Sequence, residues 1–232
     1  MILHHLPAAD RFHTKIDWLD SWHSFSFGPH HDPARMGFRA LRVINEDRVA
    51  PGAGFPRHGH RDMEILTYVL EGALAHKDSS GGAGTIRPGD AQRMTAGKGI
   101  EHSEYNASAD APVHLLQIWL LPERAALTPG YEQTALPTAT PAQGGLALIA
   151  GPAGGDDAVT LHQDARIWRA LITKGAPIAV DLAPGRHAWL QVARGTAHVA
   201  GQHLAQGDGL AVSDTDRLDL TGEGELLLFD LA

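Results

Sequence analysis

The sequence predicts an all-β fold built as two tandem barrels. Short runs rich in Val, Ile, Leu and Thr recur at close intervals, and turns rich in Gly, Pro and Asp separate them. No segment has the strand and helix alternation of a parallel βαβ unit, so a sandwich or a closed barrel is expected. A similar succession of strands and turns also occurs in both halves of the chain, which indicates that one barrel plan is used twice.

Composition narrows the classes of protein and of site. The 232 residues suffice for one large or two small domains, and 43% apolar with 20% charged residues is typical of a globular protein. A net charge of -8 and a pI near 6.0 give no basic surface for direct nucleic-acid binding. The absence of cysteine excludes disulfides, thiolate metal sites and cysteine nucleophiles. Neither a signal peptide nor a membrane span of ~20 apolar residues is predicted, so we expect a cytoplasmic protein.

The N-terminal half predicts strands from Met36 onward. The segment 1–36 has no sustained period, but it contains several large aromatic side chains, so we expect it to pack across the barrel. These are Trp18, Trp22, Phe25 and Phe27. The strands then expected in order are MGFRALRVINEDRV, EILTYVL, ALAHK, TIR, AQRM, IEHSEY and VHLLQIWLL.

A change of composition predicts the domain boundary. Residues 122–145 are rich in Pro, Thr, Ala and Gly and are typical of a connecting segment, with a turn of helix expected in PERAALTPGYEQ. We therefore divide the chain into an N-terminal domain, 1–135, and a C-terminal domain, 136–232. The strands expected in the second domain are LALIAGP, VTLHQDARIWRALI, APIAVDL, RHAWLQV, TAHVAGQHL, GLAVS and ELLLFDL.

Two pairs of residues in the first barrel form a candidate metal site. His58 and His60 lie two apart in one predicted strand, and His102 and Glu104 lie two apart in another. Residues two apart share a face of a strand, so the two side chains of each pair point to the same side of the sheet. If both faces point into one barrel, three imidazoles and a carboxylate meet there, and buried polar groups of that kind need a ligand or hydrogen-bond partners.

The donor set limits the metal without choosing it. Imidazole and carboxylate ligands suit Fe, Mn, Ni, Co, Cu or Zn. Four protein ligands leave two open positions on an octahedral ion, where a substrate, dioxygen or water can bind, but they close the site of a tetrahedral zinc. The identity of the metal therefore decides whether the site can be catalytic or is only structural.

Glu64 competes with Glu104 for the carboxylate role, because its parity matches that of His58 and His60. We favour Glu104, since it is paired with His102 on one strand, and expect Glu64 to support the site from behind the ligands or to form an ion pair. Other histidines lie in polar, turn-rich sequence and are expected at the surface or in turns. These are His4, His5, His13, His30, His31, His187, His198 and His203.

The repeat predicts one site per chain. LEGALAHK resembles ARGTAHVA and IRPGDAQRM resembles LAQGDGLAV. Aligning Gly72 with Gly195, and Gly89 with Gly207, sets other residue types opposite the candidate ligands. Asp181 and Ala183 fall opposite His58 and His60, His187 falls opposite Glu64, and Leu220 and Gly222 fall opposite His102 and Glu104. The second barrel is therefore expected to be structural.

At these residues the sequence resembles the cupin superfamily and, within it, the pirin family of bicupins, including bacterial members with quercetinase activity. The first cupin motif, G(X)5HXH(X)3,4E(X)6G, is matched by Gly52, His58, His60, Glu64 and, with one extra residue, Gly72. The end of the second motif is matched by Gly99, His102 and Asn106. The pirin pattern HPHRGFE is written HGHRDME here, TYVLEG and MTAGKGIEHSE are close to the family's text, and QDARIWRA resembles the bacterial C-terminal barrel.

The resemblance implies two tandem cupin, or jelly-roll, domains and the ligands His58, His60, His102 and Glu104. It implies one divalent transition metal per chain, with Fe(II) expected and Mn, Ni, Co, Cu or Zn as alternatives. Asp62 and Met63 replace the family's Gly and Phe, and we expect them near the pocket wall, where they affect substrate preference.

The activity implied is that of a quercetin 2,3-dioxygenase, an oxidoreductase that opens a flavonol with O2. The flavonol 3-hydroxyl would bind the metal as its anion, and Glu104 would take the proton as a general base. One alternative is a non-enzymatic, redox-sensing regulator that acts through a protein partner. Another is an isomerase of a sugar or small metabolite, since cupins carry many chemistries. We expect a monomer.

Overall fold

The computed structural model describes residues 1–137, 145–155 and 157–232. Strands dominate these ranges, and two short 3-10 turns occur at Ala8–Asp10 and Pro33–Arg35. The first half contains β1 Ile2–Leu6, β2 Phe12–Ile16, β3 Leu19–His23, β4 Leu41–Val49, β5 Gly54–His60, β6 Glu64–Glu71, β7 Leu74–Asp78, β8 Ala83–Ile86, β9 Asp90–Thr95, β10 Ile100–Asn106, β11 Val113–Leu120 and β12 Gly130–Ala135. The second contains β13 Leu146–Gly151, β14 Val159–Thr160, β15 Ala165–Ile172, β16 Ile178–Asp181, β17 His187–Val199, β18 Gln202–Ala205, β19 Gly209–Ser213 and β20 Arg217–Leu231.

The N-terminal barrel consists of two antiparallel sheets. A seven-stranded sheet has the order β12-β9-β6-β11-β4-β3-β2, and a four-stranded sheet has the order β5-β10-β7-β8. Apolar side chains of both sheets, such as Val49, Val69, Leu74 and Ile86, pack into one cluster. Two packed antiparallel sheets with a common core are the jelly-roll arrangement, as predicted.

The C-terminal barrel is wound from one continuous sheet of order β1-β19-β17-β20-β15-β13-β14, to which β16 and β18 add at β20 and β17. The long strands β17 and β20 pair along most of their length, with a register shift between Val192 and Arg194. Gly195 follows this shift with a φ of 71°, and a Cβ there would lie 2.2 Å from the Glu223 carbonyl oxygen. Glycine therefore permits the bend that carries both strands from one side of the barrel to the other.

The two barrels share a hydrophobic core. Leu41 and Leu120 of the first barrel cluster with Ile167, Trp189 and Phe229 of the second. Polar contacts cross the same boundary: the Tyr68 hydroxyl donates to Glu225, and Arg93 Nε donates to the Thr160 carbonyl at 2.8 Å. Burial of this apolar surface fixes the barrels against each other.

The segment 1–36 is more regular than the sequence indicated. Its strands β2 and β3 extend the seven-stranded sheet, while β1 pairs with β19, matching Leu6 with Gly209. Strands of five residues are too short to show a period, so strand pairing rather than local pattern defines them. The boundary at residues 135 and 136 remains a prediction, and β1 joins the sheet of the opposite half.

The expected turn of helix in PERAALTPGYEQ is wrong. Residues 122–129 are irregular, and the end of this segment forms β12, which pairs with β9 by matching Gly130 with Thr95. Prolines at both ends of the short apolar run disfavour a helix, and the edge of β9 offers backbone partners instead. The rest of the predicted linker lies partly outside the described residues. No helix in the described part of the chain is long and apolar enough to cross a membrane.

Candidate metal centre

Strands β5 and β10 bring the candidate ligands together. They pair antiparallel so that His58 lies opposite His102, and β5 is the edge strand of its sheet. Along β10 the buried residues alternate with more exposed ones, and His102 and Glu104 are both buried. The predicted sharing of one inward face is therefore confirmed for this strand.

Three imidazoles converge at the mouth of the barrel. One ring nitrogen from each of His58, His60 and His102 lies within 4.8 Å of the other two. The Nε2 atoms of His58 and His102 are 3.0 Å apart. Neighbouring ligand atoms of an octahedral ion with bonds of ~2.1 Å are themselves ~3.0 Å apart, so this pair fits adjacent positions on one metal.

The orientation of His58 is set by a backbone hydrogen bond. Its Nδ1 donates to the Pro56 carbonyl at 2.8 Å. A proton held at Nδ1 leaves the lone pair on Nε2, the atom that faces His102. The ring is therefore in the tautomer that a metal needs.

The two inner histidines are neutral at physiological pH. Burial, together with the charge that His58 would carry, lowers the pKa of His60 to about 4. Burial also lowers the pKa of His102 to about 4, although the Glu104 carboxylate acts in the opposite direction. A neutral imidazole binds metal without first losing a proton, so the site does not depend on deprotonation near pH 7.

Glu104 lies deeper in the barrel than the three imidazoles. It forms a second, overlapping group with His102 and His76, in which the ligand atoms lie within 4.8 Å of one another. Gln117 Nε2 donates to Glu104 Oε2 at 2.8 Å, and the Thr67 hydroxyl lies 3.4 Å from Oε1. The carboxylate is thus held in place by side chains of the opposite sheet.

The surroundings of Glu104 keep it ionised. Burial alone would raise its pKa, but the nearby imidazoles of His76 and His102 and the hydrogen bond from Gln117 lower the pKa below its ordinary value. His76 shifts in the opposite direction: burial acts to lower its pKa, but the hydrogen bond to Asp78 and the nearby Glu104 carboxylate raise it. A buried carboxylate whose pKa is lowered is available as a ligand or a proton acceptor.

His76 and Asp78 are site residues that sequence reasoning missed. His76 Nε2 donates to Asp78 Oδ2 at 3.0 Å, and His76 Nδ1 lies 3.9 Å from Glu104 Oε1. Strand β7 pairs with β10 so that Glu104 lies opposite His76. The spacing of two between His76 and Asp78 was the available signal, because it repeats the parity that identified the other pairs.

Glu64 contacts the second barrel. Its side chain is fully buried, and its Oε2 accepts hydrogen bonds from His162 N at 3.1 Å and Nδ1 at 3.0 Å. Its other oxygen, Oε1, has no partner among the described residues. The partner of Glu64 is therefore His162, at the boundary between the barrels.

Most of the remaining histidines behave as expected, with one exception. Exposed side chains are found for His4, His13, His31, His198 and His203. His5 is half-buried and pairs with Asp208 at 3.1 Å. The expectation for His187 is wrong, since only 9% of it is exposed and its Nδ1 lies 2.7 Å from Ser213 Oγ. It begins β17, where the barrels meet.

A cavity of about 380 Å³ opens beside the histidines. Both sheets contribute to its wall, which includes His58, His60 and Glu104. Its apolar lining comes from Leu19, Phe27, Phe55 and Trp119, and the last of these stacks edge-on against His60 with ring centroids 4.9 Å apart. A pocket of this size and character suits a small aromatic molecule.

The two positions expected at the pocket wall lie elsewhere. Neither Asp62 nor Met63 belongs to the described lining of this cavity. Asp62 adopts a φ of 50° and accepts a hydrogen bond from Ala126 N at 2.6 Å, while Met63 packs on a small cluster with Met94 and Ile100. The turn after β5 carries them away from the cavity.

Comparison with known proteins places this site in a family. Residues 6–120 match the family model described as Pirin, and residues 148–231 match the one described as Quercetinase C-terminal cupin domain. A relative from Escherichia coli K12 named quercetin 2,3-dioxygenase is 43% identical over 226 residues, which cover 97% of this chain and 96% of the relative.

Two solved structures from Escherichia coli have the same architecture. YhhW is 41% identical and superimposes with a TM-score of 0.95, covering 100% of this chain and 98% of its own. The bacterial pirin YhhW in complex with nickel(II) is 41% identical, has a TM-score of 0.93 and covers 99% of each chain. Identity at this level over nearly the full length shows that the chain belongs to the pirin family, with a pirin N-terminal cupin domain and a quercetinase-type C-terminal cupin domain.

Proposed function

We propose that the protein is a metal-dependent dioxygenase of the quercetin 2,3-dioxygenase type. The ligands proposed are His58, His60, His102 and Glu104, with Fe(II) as the metal. The observation that supports this most directly is the apolar cavity that opens onto His60, whose lowered pKa keeps it neutral, and onto an ionised, buried carboxylate. A purely structural metal site would need no such opening.

The donor set fits a divalent transition metal, because the three imidazole nitrogens lie within 4.8 Å of one another and the His58 tautomer exposes Nε2. Bound there, such a metal supplies Lewis acidity, which lowers the pKa of a coordinated hydroxyl, and a route for dioxygen chemistry. The relative solved with nickel(II) is consistent with a site of this type.

Glu104 is the residue proposed to accept the substrate proton. Its depressed pKa keeps it ionised, and Gln117 orients it toward the cavity by the hydrogen bond to Oε2. His76 lies beside it, with Nδ1 3.9 Å from Glu104 Oε1, and the carboxylate raises the pKa of this imidazole. The leucine and aromatic wall then excludes water from the deprotonated flavonol.

The experiment that tests the proposal is oxygen uptake by the metal-loaded protein in the presence of quercetin, followed together with the flavonol absorbance. Stoichiometric loss of both signals is expected, with release of carbon monoxide. Loaded protein that leaves oxygen and absorbance unchanged for every flavonol tried would contradict the proposal.

Replacing the proposed base separates its two roles. Glu104→Gln is expected to lower kcat by ~10²–10⁴, because general-base catalysis is worth that much. Metal content, measured by mass spectrometry, distinguishes loss of the base from loss of a ligand. Glu101→Gln is the matched control, since Glu101 lies on the same strand but is exposed and pairs with Arg57. Equal rates in the two variants would exclude Glu104 as the base.

A further inference from the structure

The cavity has a second polar region on the sheet opposite the metal ligands. Ser21, His23, Asn45 and Asp47 line it, and all four are buried. They belong to β3 and β4, whose register sets Ser21 opposite Asp47 and His23 opposite Asn45. The candidate ligands His58, His60 and Glu104 lie on the other sheet, so polar groups face each other across an apolar space.

Two of these residues already have their hydrogen bonds made. His23 Nδ1 donates to Asn45 Oδ1 at 2.8 Å, and its Nε2 accepts from the Thr14 hydroxyl at 3.0 Å. Burial lowers the pKa of His23, in agreement with a neutral ring that donates at one nitrogen and accepts at the other. His23 is therefore a fixed part of the wall and needs nothing from a ligand.

Asp47 differs because only one of its two carboxyl oxygens has a hydrogen-bond partner. Ser21 Oγ donates to Asp47 Oδ1, and among the described residues Oδ2 has no hydrogen-bond partner. The residue is only 3% exposed yet contributes to the cavity wall. A carboxyl oxygen that has no partner in the protein and borders a cavity indicates a place for a donor from outside the protein.

The electrostatics of Asp47 agree with this role. Burial, together with the nearby carboxylates of Glu104 and Glu46, raises the pKa of Asp47 to about 7, although the hydrogen bond from Ser21 acts in the opposite direction. No arginine or lysine forms an ion pair with it among the described residues. A neutral donor such as a hydroxyl suits such a group better than a cation, because a cation would also have to leave water.

The fold itself does not require a carboxyl group at this position. In the first barrel, Leu115 is paired with Val69 on one neighbouring strand and with Asp47 on the other. In the second barrel, Leu226 takes the place of Leu115, and it is paired with Val192 and Ala170. Ala170 therefore corresponds to Asp47. Ala170 is fully buried in an apolar cluster. The same place in the architecture is thus filled by a small apolar residue when no cavity adjoins it.

We propose that Asp47, held by Ser21, binds a hydroxyl group of the substrate other than the one that meets the metal, and so selects polyhydroxylated aromatic molecules. The inference rests on the proposed function, since it takes a flavonol-like molecule as the occupant of the cavity. Asp47 is a specificity residue in this account, and it takes no part in the reaction at the metal.

The test measures binding rather than turnover. Metal-free and metal-loaded proteins are titrated with 3-hydroxyflavone and with derivatives that carry one added hydroxyl group at different positions of the fused or pendant ring. Quenching of tryptophan fluorescence reports binding, since Trp119 lines the cavity. One added hydroxyl is expected to tighten binding at least tenfold in the wild type, a typical effect of a hydrogen bond to a charged or buried acceptor. Asp47→Leu should lose this preference and still bind the parent flavone within about twofold.

Asp20→Asn is the matched control, because Asp20 lies on β3, is half-exposed, and pairs with Lys15 at 2.8 Å. It should keep the preference. Asp47→Ala removes the same acceptor and serves if the leucine variant does not fold, as judged by circular dichroism.

An equal preference in the wild type and the Asp47 variants, or no preference for any added hydroxyl in the wild type, would overturn the proposal. A preference that depends on Asp47 in a protein that consumes no oxygen would support the subsite and reject the proposed oxygenation.

Discussion

The two barrels have one framework and opposite interiors. A row of paired residues crosses five strands of each large sheet. In the first barrel the row consists of Gln92, Thr67, Gln117, Asn45 and His23. In the second barrel it consists of Leu210, Leu190, Leu228, Trp168 and Leu148. Every polar position of one row is apolar in the other.

The metal positions show the same contrast. Register pairs His58 with His102 in the first barrel and Ile178 with Leu220 in the second. In the same way, Val180 takes the place of His60, Ala197 that of His76, Val199 that of Asp78, and Gly222 that of Glu104. The sequence alignment had placed Asp181 and Ala183 opposite His58 and His60. Those pairs are wrong because the loops before β6 and β17 differ in length, but the matching positions again carry no ligand.

The comparison teaches where stability and function are located. Sixteen fully apolar side chains fill the second barrel as one cluster, whereas the polar row and the cavity leave the first barrel with smaller clusters. Buried polar groups and empty volume both lower the free energy of unfolding. The second barrel offsets that cost through the shared core that holds Trp189 and Phe229 against the first.

The largest effect is expected from giving the first barrel the residue of the second at a ligand position. His102→Leu should reduce metal from about one per chain to near zero, since it removes the ligand whose Nε2 lies 3.0 Å from that of His58. Mass spectrometry of metal-loaded, dialysed protein measures this. His203→Ala is the control, because His203 is exposed in the second barrel. Full metal content in His102→Leu would refute the ligand assignment.

The reverse change should destabilise the second barrel. Leu228 is fully buried, so Leu228→Gln is expected to lower the free energy of unfolding by ~2–4 kcal/mol through an unpaired amide and lost apolar burial. Urea unfolding measures it. Leu121→Gln makes the same substitution at a residue that is 36% exposed, where ~0.5 kcal/mol or less is expected. Similar losses in both would mean that the second interior tolerates polar groups.

The acid stability of the metal-free protein should distinguish the two interiors further. The pKa values of His60 and His102 lie near 4, below the ordinary 6.5. As the pH falls from about 6.5 to 4 the unfolded chain therefore binds protons that the folded protein does not, and stability declines. A decrease of a few degrees in Tm is expected over this window.

His76 acts in the opposite direction, because its pKa is raised. His102→Leu removes one of the lowered groups, together with its effect on the pKa of Glu104. The variant should lose less Tm than the wild type between pH 6.5 and 4. An identical dependence would show that His102 does not contribute.

The smallest effect is expected at the boundary between the barrels. Glu64→Gln keeps an oxygen that can accept from His162, so it should cost ~1 kcal/mol or less. Metal content should stay at the wild-type value, as measured by mass spectrometry beside Glu104→Gln. If Glu64→Gln lost metal and Glu104→Gln kept it, Glu64 rather than Glu104 would be the carboxylate ligand.

The sequence shows which residues of one strand share a face, because they are two apart. It does not show which residues are neighbours on adjacent strands. The pairs at His58 and at Glu104 could be found because residues two apart share a face, and the all-β, two-barrel fold followed from the spacing of turns. Asp47 and Gln117 reach the site through the pairing of β4 with β11, a contact that no local pattern encodes. The burial of His187 likewise depends on contacts between the barrels.

The pairing of β1 with β19 has a consequence for how the chain can fold during synthesis. His5 and Asp208, which meet across this pair, are 203 residues apart in the chain. Strand β1 therefore leaves the ribosome long before its partner exists, and it must remain unpaired until nearly all of the second barrel has been made. Contacts of such separation form late and slowly. Termination after β12 but before β19 would leave an unpaired strand attached to a complete first barrel, ready to pair with another chain.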